Sequence, residues 1–402
     1  MIAASEARSA PAPIPVTIIT GFLGAGKTTV LNRLLRDSAL ANAVVLINEF
    51  GEIGLDHLFV EKIDGDMIMM ASGCLCCTIR GDLVDALENL LRRRDNGRMR
   101  AFDRLIIETT GLADPAPVLQ TIMSHPYLLL RFRLDGVVTL VDAIYGEATL
   151  EAYSEALKQV AVADRLVLSK TDLIESEDQQ EGLARLRERL TSINPTARLL
   201  DNPIMLEARY LLDAGLYNPS TKSSDVSRWL NAERLIEQVE TSENAGTIMC
   251  GHDHAHGLRR DPAHASTRPK DEVNRHGESI RAFCLVSAAP LTPSACDFFL
   301  EILRGAHGPN LLRVKGVIAL SDDLSRPLVI HGVQHIFHPP VRLEAWPDSD
   351  HRTRIVFIVK DLSAHFVEGL YAAFSGQMRL DTPDAQALTA NPLKPNSGGL
   401  LS

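Results

Sequence analysis

The run GFLGAGKT, Gly21 to Thr28, constrains this chain more than any other segment. It fits G-x-x-x-x-G-K-[ST], follows the β-branched run VTII at Val16, and precedes the helical pattern VLNRLL at Val30. A strand, a glycine-rich turn and a helix in that order are what a phosphate-binding loop requires. Backbone N–H groups of the turn cradle phosphate oxygens, Lys27 reaches the β- and γ-phosphates, and Thr28 offers its hydroxyl to Mg²⁺. The expected cradle comprises Gly21, Gly24, Ala25, Gly26, Lys27, Thr28 and Thr29, with Lys27 and Thr28 also acting in catalysis.

The loop opens a longer rhythm. After VTII come VVLI at Val44, RLIIE at Arg104, DGVVTLVD at Asp135 and RLVLS at Arg165, separated by helical patterns. Short β-branched runs alternating with helices predict a parallel sheet covered by helices. At 402 residues the chain is too long for one ordinary core. The P-loop NTPase domain is expected over 14–219, after a disordered tail over 1–13. A polar linker with a His-rich loop follows over 220–278, then a smaller C-terminal α/β domain over 279–380 and a Pro-, Asn- and Gly-rich disordered tail over 381–402. The strands of the second domain are RAFCLVS, LLRVKGVIAL, LVIHGVQHIF and TRIVFIVK, with helices starting near Pro293 and Ser363.

Charge narrows the partners. A formal charge of −10, with no long basic run, argues against nucleic acid. No stretch is apolar enough to span a bilayer, and the N-terminal segment lacks a signal-peptide pattern, so a cytoplasmic protein without membrane contact is expected. A homodimer is left open.

The segment SKTD, Ser169 to Asp172, ends the strand RLVLS where P-loop GTPases carry [N/T/S]-K-x-D. A carboxylate there accepts from N1–H and the exocyclic amino group of guanine, a donor pair adenine lacks. Asp172 therefore selects GTP, Lys170 packs its stem over the base, and Ser169 stands where many GTPases have Asn. RLIIETTG delivers Glu108 to a strand end, where it can hold a Mg²⁺-bound or attacking water, and Gly111 can turn its N–H to the γ-phosphate. The plain alternative for Glu108 is a surface acid. INEFGEIGLD places Asn48, Glu49 and Asp56 after the strand VVLI, as a switch loop or an ordinary β-to-α connection.

Three of the six cysteines, Cys74, Cys76 and Cys77, fall within GCLCC, just before a helix patterned on Leu83, Ala86, Leu87, Leu90 and Leu91. In a reducing compartment such density points to a metal or redox site rather than disulfides. C-x-C-C is too compact to fill four positions around one zinc ion, which leaves an exchangeable position suited to transfer. A helix N-terminus favours thiolate over thiol. A redox cluster and a buried structural trio are the competing readings. A second candidate is CGHDHAHG, where Cys250, His252, His254 and His256 alternate in a polar segment, with His264 and His276 beyond; the alternative is a hydrophilic linker. His331, His335 and His338 lie on a strand pattern and read as fold or interface residues, and Cys284 and Cys296 read as core.

Taken in order, GFLGAGKTT, INEFGEIGLD, GCLCC, ETTGLADP, SKTD, LLRVKG and HGVQHIF resemble the CobW-like GTPases, metal chaperones of the SIMIBI class of P-loop proteins, over about residues 14 to 375. The resemblance implies a GTPase that couples nucleotide state to holding or handing over a metal, most often zinc. It places the thiol ligands at Cys74, Cys76 and Cys77 and suggests Glu49 and His125 as further ligands. The expected function is thus a GTP-hydrolysing metallochaperone using GTP, Mg²⁺ and Zn²⁺ to serve a client metalloprotein. The alternative is a metal buffer or sensor that binds GTP without significant turnover. A P-loop kinase for a small metabolite is weakened by SKTD.

Overall fold

The structure, a computed structural model, describes residues 12–48, 67–70, 79–201, 206–212 and 280–376. In the first part, β1 (Ile14–Gly21) leads to α1 (Lys27–Leu35), then β2 (Ala43–Asn48), β3 (Met67–Met70) and α2 (Ile79–Asp95). Next come β4 (Arg104–Glu108), α3 (Ala116–Ser124), α4 (Pro126–Arg131), β5 (Phe132–Asp142), α5 (Gly146–Ala152) and α6 (Ser154–Ala161). β6 (Arg165–Ser169), α7 (Glu177–Ile193), β7 (Arg198–Leu200) and α8 (Ala208–Leu211) complete it. The described strands form a seven-stranded sheet in the order β3-β2-β4-β1-β5-β6-β7, parallel throughout. Burial on both faces explains the apolar runs: β1 keeps Val16, Ile18 and Ile19 fully out of solvent.

The second part contains β8 (Ile280–Ser287), α9 (Pro293–His307), β9 (Leu311–Ile318), β10 (Leu328–Val333), β11 (Ile336–Phe337), β12 (Val341–Arg342), β13 (Thr353–Lys360) and α10 (Ala364–Phe374). Its strands pair antiparallel in the order β11-β10-β9-β13-β8, with β12 on β10. Thr292 and Ser363 cap α9 and α10 by accepting from Ala295 N and Phe366 N. Phe299, Leu303, Val367 and Tyr371 from these helices bury one face of the sheet with Phe283, Val314, Ile355 and Phe357.

The other face lies against the parallel-sheet domain. Leu312 and Ile358 join Ala156 and Val160 of α6 and Leu183, Leu186 and Leu190 of α7 in one apolar cluster. The hairpin of β10 and β11 packs on α3: Val333 and Ile336 share a cluster with Leu119 and Ile122. The Gln120 side-chain amide donates to the Gln334 side-chain oxygen, and Gln334 holds a left-handed turn at φ 52°. Among the described residues, no helix is long and apolar enough to cross a membrane.

Between the two sheets sits a buried ion cluster. Asp164 Oδ1 accepts from Arg313 Nη2 and from Lys315 Nζ at 2.7 Å, and Asp164 Oδ2 accepts from Val137 N at 3.0 Å. Burial alone would raise the Asp164 pKa, but Arg313 and Lys315 hold it well below the usual carboxylate range. Burial brings the Lys315 ammonium down to about 8 despite its carboxylate partner. Neighbouring His331 and His338 stay neutral. Burial and then Arg313 push the first well below the ordinary imidazole value and the second to about 4. Their rings meet edge to face at 5.1 Å, as expected of histidines serving the fold.

Removing one member of a buried charge cluster leaves the others uncompensated. Asp164→Asn is expected to cost about 3–5 kcal/mol of stability at neutral pH, measured by urea unfolding. Because the folded pKa of Asp164 lies below its ordinary 3.8, this contribution is complete above that value and disappears as pH falls through the folded one. The gap between parent and variant should therefore close in acid.

Candidate functional site

The phosphate loop leaves β1 through Gly21 at φ 143°, where a Cβ would lie 2.5 Å from Leu140 O. Gly24 and Gly26 take φ 75° and 83°, which L side chains rarely adopt, and Gly26 begins α1 in a left-handed conformation. Ala25 is buried and its N–H bonds to Phe22 O at 3.2 Å. Lys27 Nζ curls over the loop and donates to Gly21 O at 3.0 Å and Phe22 O at 3.2 Å. An ammonium already seated on the loop needs little rearrangement to meet a phosphate. Outside it, Gly24, Gly26, Lys27, Thr28 and Thr29 line a cleft of about 790 Å³ with Asn32, Arg33 and Arg36. The two arginines add positive charge to this wall, a contribution the motif alone does not reveal.

Glu108 ends β4 beside β1, paired in register with Ile19, and is 5% exposed. The following residues are tied to the neighbouring strand, since Thr109 N donates to Ile19 O at 3.0 Å and Thr109 Oγ1 to Thr20 Oγ1 at 2.8 Å. Gly111 presses on the phosphate loop: a Cβ there would lie 2.6 Å from Leu23 N and 2.8 Å from Leu23 Cα. The glycine is thus required by close approach rather than by turn geometry. Glu108, Gly111 and the loop are brought together as the sequence predicts.

The third segment stands on the other flank. Ser169 ends β6 and lies 3.8 Å, Cβ to Cβ, from a side chain built at Gly26. Lys170 adopts a left-handed φ of 60°, and its Nζ donates to Asp142 Oδ2 at 2.6 Å. Asp142 Oδ1 accepts from Ile144 N at 2.8 Å and Tyr145 N at 3.1 Å. The carboxylate at the end of β5 is therefore fixed by its own turn and in turn fixes Lys170. Sequence reasoning missed Asp142; its place directly after LV, at the end of a parallel strand, is the one available signal. Asp172 sits exposed in a short 3-10 turn over Thr171–Leu173, open to a ligand.

The predicted metal ligands divide. Cys74, Cys76, Cys77, Glu49, His252, His254 and His256 lie outside the described residues, as do Cys250, His264, His276 and Asp56. His125 joins α3 to α4, where Pro126 forces an extended backbone. It is half-buried, and its buried Nδ1 has no hydrogen-bond partner. Among the described residues, no three His, Cys, Asp or Glu side chains cluster as a metal site. Cys296 is fully buried, and burial followed by Asp297 pushes its thiol up to about 12, so it is core rather than ligand. Cys284 is half-buried in β8.

Residues 15–201 match the family described as CobW/HypB/UreG, nucleotide-binding domain, and residues 280–374 match the cobalamin synthesis protein cobW C-terminal domain. The zinc chaperone YjiA of Escherichia coli (strain K12) is 44% identical over 365 residues, spanning 90% of this chain and 98% of YjiA. The chain belongs to the CobW family. Zinc-regulated GTPase metalloprotein activator 1 of Schizosaccharomyces pombe is 38% identical over 256 residues, 60% of this chain and 58% of that protein. Among solved structures, Zn(II)-bound YjiA GTPase from E. coli aligns with a TM-score of 0.58 and 27% identity, covering 90% of this chain and 99% of that one. In this CobW-family chain the two matched regions fall on the two sheets described above.

The Asp142–Lys170 pair generates a specific expectation. Asp142→Ala frees the Lys170 ammonium from its anchor on β5 and should raise the Kd for GTP by about tenfold, the loss of one charge-assisted hydrogen bond. Titration with a fluorescent GTP analogue checks this, and an unchanged Kd would show that Lys170 needs no anchor.

Proposed function

We propose that this CobW-family chain is a GTP-hydrolysing metallochaperone that holds zinc at Cys74, Cys76 and Cys77 and couples GTP state to delivery of the metal to a client protein in the cytoplasm. One observation carries the reading: the phosphate loop, the Glu108–Gly111 segment and Ser169–Asp172 meet at one end of one sheet. From the same place α3 runs nine residues to His125.

The described residues fit a nucleotide. Glycines at positive φ let the loop backbone wrap a phosphate, and Lys27 supplies a cation over it. Bound Mg²⁺ would neutralise charge across the β- and γ-phosphates, held by Thr28 with Glu108 nearby. Asp172 accepts from guanine, with Lys170 braced by Asp142 beneath the base. Glu108, desolvated at a strand end, orients the attacking water, and the Gly111 N–H donates to the γ-phosphate. Loss of that phosphate releases Gly111, and α3 carries the displacement towards His125.

Zinc is cargo here. α2 begins at Ile79, two residues after Cys77, so its N-terminus stabilises thiolates in the segment before it. Three clustered thiolates with Glu49 or His125 suit a soft ion while leaving a position for the client's ligand. Capture by the His-rich segment would precede transfer.

Two measurements test the proposal. Lys27→Ala should abolish tight GTP binding and turnover with the fold retained by circular dichroism, and Asp172→Asn should weaken GTP far more than ATP. Turnover at the parent rate in Lys27→Ala would remove the nucleotide assignment. Cys74→Ser, Cys76→Ser and Cys77→Ser should each weaken zinc binding, and a non-hydrolysable GTP analogue should shift the zinc affinity of the parent chain. Zinc affinity indifferent to all three substitutions would remove the metal assignment, and indifference to nucleotide would leave a passive metal buffer.

A further inference from the structure

The turn that follows Glu108 is held from a direction the motifs do not indicate. Gln159, in α6, is 1% exposed. Its side-chain Nε2 donates to Gly111 O at 3.1 Å and to Ala113 O at 3.0 Å, so both amide hydrogens are spent on one turn. The opposite amide orientation would set its oxygen against two carbonyl oxygens, so the hydrogen-bond network itself selects this one. Its own backbone is fixed in turn, because Gln159 O accepts from Thr139 Oγ1 of β5 at 2.8 Å. The neighbouring Lys158 places its Nζ 3.7 Å from Asp114 Oδ2, on the same turn.

The turn is otherwise lightly anchored. Thr109 is tied to β1, and Ala113 N closes a short turn on Thr110 O at 3.1 Å. Between them Gly111 lies against the Leu23 backbone with no room for a Cβ. A loop pressed on the phosphate cradle from one side needs a counter-support on the other. The Gln159 amide supplies it at the Gly111 carbonyl, on the residue that lies against the phosphate loop. The 260 Å³ cavity beside it, which Gln159 lines with Phe22, Leu23 and Tyr145, offers no packing that would replace that support.

We infer that Gln159 is a positioning residue for GTP hydrolysis, which holds the Gly111 main chain through its carbonyl so that the N–H of the same residue can meet the γ-phosphate, and α6 thereby sets the geometry of the hydrolytic turn. This rests on the proposed role of Gly111 as the γ-phosphate donor. It extends that role by naming what fixes the donor. Because GDP lacks the γ-phosphate, the contribution of Gln159 must appear with GTP and not with GDP. That separation distinguishes it from general support of the fold.

Gln159→Met keeps the length of the side chain and removes both donors. Its kcat for GTP should fall on the order of tenfold to a hundredfold, the effect of a small misplacement at a reacting centre, while its Kd for GDP stays within about twofold of the parent. Gln159→Glu gives an independent readout: burial raises the introduced carboxyl's pKa, and only its protonated form donates to the turn. The hydrolysis deficit of Gln159→Glu relative to the parent should therefore shrink as pH falls from 8 to 6, even if Gln159→Met does not fold. Parent-like kcat in Gln159→Met, equal losses for GTP and GDP, or a pH-independent deficit in Gln159→Glu would overturn the assignment. A parent chain that does not hydrolyse GTP would overturn the function proposed above along with it, whereas an active parent with an unaffected variant overturns the role of Gln159 alone.

Discussion

The Asp164 carboxylate is the point on which the two halves of the chain depend. Its backbone N–H donates to Val137 O at 2.8 Å and its own C=O accepts from Arg198 N at 3.1 Å, which ties β5 and β7 to one residue just before β6. Its side chain then takes Arg313 and Lys315 from β9. Neither cation could be buried without it, since the cost of desolvating an unpaired charge exceeds what apolar packing around it returns. The apolar contacts of Leu312 and Ile358 with α6 and α7 follow from that alignment. A carboxylate with two cations on the opposing sheet also fixes register, because sliding β9 by one residue would turn both cations away from it.

With the sheets locked, the nucleotide end becomes a matter of strand termini. β1, β4, β5 and β6 are adjacent and parallel, so Gly21, Glu108, Asp142 and Ser169 finish at the same edge. Each terminus is then joined to its neighbour by a specific bond: Thr109 to Thr20, Lys170 to Asp142, and Ser169 Oγ to Val141 O. α3 extends this arrangement to the second sheet through Gln120 and Gln334. A side chain at the phosphate loop and one in the C-terminal hairpin therefore share a single intervening helix.

What the sequence reveals and what it hides divide along the range of the interaction. The phosphate loop, Glu108, Ser169–Asp172, the capped starts of α9 and α10 and the core positions of α2 are local patterns, legible because their periodicity or motif is contained in a few residues. β3 and β7, four and three residues long, were too short to carry a pattern and exist because a sheet edge was available to pair with. The Asp164 cluster joins residues 149 and 151 positions apart, and Gln159 meets Gly111 across 48, so no spacing rule could reveal them. His331 reads correctly as a fold residue because a strand of apolar neighbours already placed it in a buried register. His125 is suggested by resemblance alone, since no local pattern marks it, and the structure places it at the end of α3.

The order in which a ribosome delivers these parts gives the Asp164 cluster a temporal meaning. Asp164 emerges 149 residues before Arg313. Throughout that interval its carboxylate must be hydrated, and the faces of α6 and α7 that Leu312 and Ile358 will cover look onto water. The nascent nucleotide domain can form its parallel sheet but carries an unfinished flank until β9 arrives. The helix that carries Gln159 borders that flank, so α6 is covered on this side only once β9 has been made.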